Sequence, residues 1–165
     1  MTTLRRFVVF QVLLLWQGGF LFYASFVVPV GTHVLGSAEA QGAITAHVTD
    51  TLNIVGVVGL AVMAWDLNYT RDRSSRRTEV RWWCWVIVLF CQGLLIYAHL
   101  LLDSDMDQAR MHVVARKTFR IVHKVYLWTS TVQWVACLVF VLLTLLAWRS
   151  EDRNETRSTP TPNTA

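Results

Sequence analysis

Residues 82–102 read WWCWVIVLFCQGLLIYAHLLL, and the stretch contains no Asp, Glu, Lys or Arg. Wound into a helix at about 1.5 Å per residue, it extends about 31 Å, the thickness of a bilayer's hydrocarbon layer. Three more blocks of the same kind surround it, at about residues 7–30, 44–65 and 126–148. The pattern predicts an all-α protein, a four-helix transmembrane bundle running up-down-up-down over residues 1–149. The tail, 150–165, is polar, ends in STPTPNTA and reads as disordered.

Composition agrees with this reading. The chain has 165 residues, 54% hydrophobic and 16% charged, with a mean hydropathy of +0.40. Soluble domains carry about 25% charged residues. Four spans with their connections use up the chain, so no soluble domain is left over. The isoelectric point is about 9.3, yet the basic residues lie between the blocks, which is a topological signature and not a nucleic-acid surface. Cys84, Cys91 and Cys137 sit inside apolar blocks without a CxxC pair and read as small hydrophobes packed between helices.

The first block follows Arg5 and Arg6, as a signal peptide would, but it outlasts a typical signal core and three more spans follow, so it reads as a retained helix. Pro29 and Gly31 are expected to end it. Ser37 is a suitable N-cap for an early start to the second helix. Trp65, Trp82, Trp83, Trp85 and Trp148 gather at one set of block ends, as an aromatic belt does. That same side holds ten Lys/Arg (Arg5, Arg6, Arg71, Arg73, Arg76, Arg77, Arg81, Arg149, Arg153 and Arg157). The other side holds five, Arg110, Arg116, Lys117, Arg120 and Lys124. The positive-inside rule therefore puts both termini in the cytoplasm, with a bacterial inner membrane as the expected location. Asn68 and Asn154 match the glycosylation pattern but fall on the cytoplasmic side and read as chance.

Gly19-Phe-Leu-Phe-Tyr-Ala-Ser in the first block matches Gly93-Leu-Leu-Ile-Tyr-Ala-His in the third, each after a mid-span glutamine, Gln17 or Gln92. His47 and His123 open the second and fourth blocks at similar offsets, so two parallel two-helix repeats are one reading; chance matching of apolar sequence is the other. Polar residues also fall at helical spacing. His123, Tyr126, Ser130, Gln133 and Cys137 share one face, and Gln92, Ile96, His99 and Asp103 another. His47, Asp50 and Asn53 mark the second block, and Gln11, Gly18, Ser25 and Thr32 the first. Such stripes predict a polar bundle interior, explained either by interhelical hydrogen bonding or by a functional site.

All five histidines, His33, His47, His99, His112 and His123, fall on the non-cytoplasmic side. His99 and His123 are expected at similar depth, where two imidazoles could ligate haem iron. A copper or zinc ion is the alternative, with Met106, Met111 and His112 in the connecting loop and Asp103, Asp105 and Asp107 as oxygen ligands or orienting groups. Histidine is equally at home at a helix end, its polar tip in water.

The stretch GGFLFYASFVVPVG at residues 18–31 resembles the opening helix of small bacterial membrane proteins similar to transmembrane protein 205 and, more distantly, to the membrane domain of the copper-resistance protein CopD. HKVYLWTSTVQW at residues 123–134 resembles the same group. The resemblance implies a helical bundle over all four spans and copper handling across the membrane, with His47, His99 and His123 as the positions to which a ligand role carries over. A fainter likeness to haem-binding membrane oxidases implies haem b between His99 and His123.

No nucleophile motif, phosphate-cradling glycine loop or HExxH occurs, so an enzyme is the less favoured class. The expected function is a multi-pass membrane protein whose polar interior opens to the non-cytoplasmic side and binds or moves a small solute or metal ion. That interior would be lined by Gln17, Asp50, Asn53, Gln92, Tyr126, Ser130 and Gln133. A b-type haem redox protein and a structural or assembly subunit are the alternatives. The expected partners are the lipid bilayer and a second copy or another membrane protein.

Overall fold

The computed structural model describes residues 2–104, 106–107, 112–113 and 116–158, with side chains outside 39, 103–119 and 154–158. Four helices carry the chain: α1, Thr2–Leu35; α2, Ala38–Tyr69; α3, Ser75–Ser104; and α4, Arg116–Ser158. Each contains a stretch long and apolar enough to cross a membrane, so the fold is the all-α four-helix transmembrane bundle that the hydropathy blocks imply. The start of α1 and the last turns of α4 meet at one end of the bundle, called the terminal end below. Between α3 and α4, at the opposite end, Met106–Asp107 pairs antiparallel with His112–Val113.

α1 is not a uniform helix. Wider π-helical turns occupy Leu14–Gly18 and Tyr23–Val27. The helix also continues through Pro29 and Gly31, where it was expected to stop, and ends at Leu35. Proline is tolerated because it enters in the first turn of the segment Val28–Leu35, directly after a π turn, where the α-helical hydrogen-bond ladder is already interrupted. The stop falls instead at Gly36, left-handed at φ 69°, a conformation that glycine adopts without steric cost. Ser37 then caps α2, its Oγ accepting from Ala40 N at 3.0 Å.

The buried face of α1 is Arg5, Val9, Leu13 and Trp16. Gln11, Gly18 and Ser25 are exposed and Thr32 only half-buried, so the seven-residue seam expected to face the bundle runs largely along its outside. Arg5, Val9 and Leu13 set the face before the first π turn, and Trp16 continues it within that turn. Each π turn then adds a residue and shifts all later side chains by about 100° around the axis.

The core joins Val9, Leu13 and Trp16 to Leu60 and Met63 of α2, Val88 of α3 and Cys137 and Phe140 of α4. Trp16 lies directly on α2. A Cβ at Gly59 would stand 2.7 Å from its ring, and one at Gly56 3.1 Å, so this close approach requires glycine at both positions. All three cysteines are buried and unbridged, in keeping with their reading as packing residues. α4 remains helical to Ser158, correcting the expected disorder for 150–158; residues 159–165 lie outside the description.

Candidate functional site

Two buried polar systems divide the bundle, one at each end. At the terminal end, Asp66 of α2 is completely buried. Its Oδ2 accepts from Arg81 Nη2 at 2.6 Å and its Oδ1 from the Trp148 indole at 3.1 Å. Arg5 Nε stands 3.3 Å from Oδ1 as an ion pair, outside hydrogen-bond alignment. Arg81, equally buried, also donates to Thr144 Oγ1 at 3.2 Å and lies 5.3 Å above the Phe140 ring. Arg5 continues the network to Glu151 at 2.7 Å and to the Tyr69 carbonyl at 3.0 Å. Arg6 reaches Glu151 at 3.1 Å and Asp152 at 2.7 Å, and lies 5.6 Å over Trp148. The network ties all four helices together and holds the extension of α4 beyond residue 149.

Trp148 is therefore a buried donor to a carboxylate and not part of an aromatic belt, whereas Trp65, Trp82 and Trp83 are exposed as belt residues would be. Charge satisfaction decides the matter: a carboxylate buried between two guanidinium groups still has an acceptor position to fill, and the indole N–H fills it.

Towards the other end, carboxamides cross the bundle in a relay. Gln133 Nε2 donates to Gln92 Oε1 at 3.0 Å, and Gln92 Nε2 donates to Asn53 Oδ1 at 3.0 Å, joining α4, α3 and α2. Beside them lies a small cavity of about 20 Å³, bordered by Gln17, Asn53, Gln92, Tyr126, Ser130 and Gln133. That is room for about one water molecule. Six of the seven residues expected in the polar interior therefore meet at one place. The seventh, Asp50, is exposed but lies 2.8 Å from Nε2 of the buried His99. Tyr126 also hydrogen-bonds Thr49. A third link joins α1 to α2, where Tyr23 donates to Thr45 at 3.1 Å and Gln41 Nε2 donates to Tyr23 at 3.3 Å.

The histidines expected to ligate metal or haem are distributed differently. His99 is inside and engaged with Asp50, while His47 and His123 have exposed side chains. Among the described residues, no group of three or more His, Cys, Asp or Glu side chains is placed to hold a metal ion. The side chains of Asp103, Asp105, Met106, Asp107, Met111 and His112 lie outside the described residues. The repeated heptapeptides also meet unlike surroundings. Tyr23 lies in a π turn and hydrogen-bonds Thr45, whereas its counterpart Tyr97 is exposed on a regular helix.

The polar column stops at the bundle's middle. From Trp16 towards the termini the centre is filled by Leu13, Met63, Val88 and Phe140, all buried. The arrangement is a polar half-bundle closed on one side by an apolar plug. Comparison of the chain with protein-family models, curated proteins and solved structures gave no match.

Proposed function

We propose that this chain is an integral membrane protein whose polar half-bundle binds a small polar solute from the side opposite the termini. The carrying observation is the Gln133–Gln92–Asn53 relay with a cavity of about 20 Å³ beside it. The cavity limits the solute to roughly the size of water, ammonium or methylamine. His99 and Asp50 pair on the side of the relay away from the termini, the exposed carboxylate offering a first contact for a cation. The Lys/Arg count supports cytoplasmic termini, in a bacterial inner membrane, and hence a site that opens outward. The likeness of residues 18–31 to the opening helix of the transmembrane protein 205 and CopD group belongs to this reading as a proposed relationship. Copper or haem b ranks below a polar solute, because His99 Nε2 is already paired with Asp50.

A thermal-melt screen of the detergent-purified protein against ammonium and methylammonium, with sodium at equal ionic strength as the control, tests the proposal, since a ligand of the folded state raises the melting point. A rise with one solute, absent in Gln92→Leu, is expected. If none of them moves the melting point, the second reading prevails, a structural or assembly subunit. That alternative has its own support: the three carboxamides satisfy one another, as packing groups between membrane helices do.

A further inference from the structure

A second cavity lies in the terminal half, between α1 and α4. It has a volume of about 160 Å³, is open on one side and is almost wholly apolar, lined by Phe10, Leu14 and Gly18 on one wall and Leu138, Val141 and Leu145 on the other. Above it Arg6 and Trp148 bridge the two helices, so the cleft is roofed at the interface but open sideways. Leu138 and Leu145 are exposed on its outer rim, and Arg149 extends their row by one more turn. Leu138 and Arg149 are eleven residues apart, about 16 Å along the helix, which matches one leaflet of the hydrocarbon layer.

We propose that this cleft holds one acyl chain of an anionic phospholipid, with the lipid's phosphate on Arg149. Three observations favour this occupant over a protein helix. The depth fits a single chain reaching from headgroup to midplane. The volume is about that of a cavity that takes up benzene, enough for part of a chain and too little for a helix, whose diameter is about 10 Å. The rim carries cations: Arg149 and Arg153 are exposed, whereas Arg5 and Arg6 are committed to Glu151 and Asp152.

Native mass spectrometry of the full chain, with phosphatidylglycerol and phosphatidylcholine of identical acyl chains, tests the site. One phosphatidylglycerol should be retained, favoured about fivefold over phosphatidylcholine, the factor expected of one interfacial arginine. Arg149→Gln should remove that preference and Arg149→Lys should keep it; the position is exposed, so folding is not at stake. Gly18→Leu should strip both lipids, because a Cβ there meets nothing closer than 3.9 Å and the longer side chain fills the cleft. Equal retention of the two lipids by the wild type overturns the proposal. So does unchanged lipid retention in Gly18→Leu, or a lipid-free dimer that Gly18→Leu dissociates, which would put a second copy in the cleft.

Discussion

Replacing Asp66 with Asn changes few contacts and one charge, which makes it the sharpest probe of the ion network. The amide keeps the side chain's size and can still accept from Trp148, but Arg81 then lacks the carboxylate 2.6 Å away. What remains to Arg81 is the Thr144 hydroxyl at 3.2 Å and the Phe140 ring at 5.3 Å. Both members of the pair are fully buried, so surface screening does not apply, and breaking such a pair typically costs about 3–5 kcal/mol. Arg81 begins near the interface and can relieve part of this by reaching outward, which places the expected loss near 3 kcal/mol. At that size the unfolding equilibrium constant rises by about two decades. Asp66→Leu with Arg81→Met removes both charges and should recover most of the loss, because a buried ion pair is often no better than a well-packed apolar one. Unfolding in detergent, followed by tryptophan fluorescence over a denaturant titration, reads both variants against wild type. Asp66→Asn with wild-type stability, or a double variant no better than the single one, would refute the reasoning.

Other perturbations address separate parts of the structure. Gln92→Leu deprives Asn53 and Gln133 of their shared partner and should cost about 1–2 kcal/mol, measured in the same titration. Gly59→Ala drives a methyl group to 2.7 Å from the buried Trp16 ring. It should cost about 1–3 kcal/mol and shift Trp16 emission, while Gly93→Ala, with nothing within 4 Å of its Cβ, should be close to neutral. In the α2–α3 connection, burial raises the Asp72 pKa, but hydrogen bonds from Arg77 and the Ser74 amide outweigh this and leave it below its ordinary value. A lowered carboxyl pKa stabilises the fold above the unfolded value of about 3.9 and is lost as pH falls through the folded one. The stability gap between wild type and Asp72→Asn should hold steady above about pH 5 and close below about pH 4; a gap that widens on acidification would contradict the pairing.

The hydropathy blocks made the fold legible, since backbone satisfaction in lipid leaves a long apolar segment little choice but a helix. The polar faces of α3 and α4 were legible too, because regular helices keep their phase: Gln92 and His99, and Ser130, Gln133 and Cys137, are all buried. The ion network was not. Asp66 falls one residue beyond the second hydropathy block and Arg81 one before the third, so both read as loop charges. They become interior only because α2 and α3 extend past those blocks to Tyr69 and back to Ser75. Opposite charges at facing block ends were the available signal. Glu151 was hidden for a related reason, since its partners Arg5 and Arg6 are about 145 residues away and the segment reads as tail. α1 misled because polar and small residues were assigned to the inside, while its apolar residues take the buried face and two π turns alter the later phase.

α1 also shows why the polar systems sit where they do. In lipid, apolar surface gives one helix no preference for another over an acyl chain, so association rests on close packing and polar contacts. α1 has such contacts at three levels. The arginines bind it at the terminal end, Trp16 seats against Gly56 and Gly59 at mid-height, and Tyr23 meets Gln41 and Thr45 at the start of the second π turn. All but the arginine contacts with α4 face α2, so among the described residues the flank of α1 towards α4 has no polar tie below Arg6. That flank is where the cleft opens. A lipid chain can therefore separate α1 from α4 along the cleft without breaking any hydrogen bond, while the network around Glu151 keeps the two helices joined at the roof.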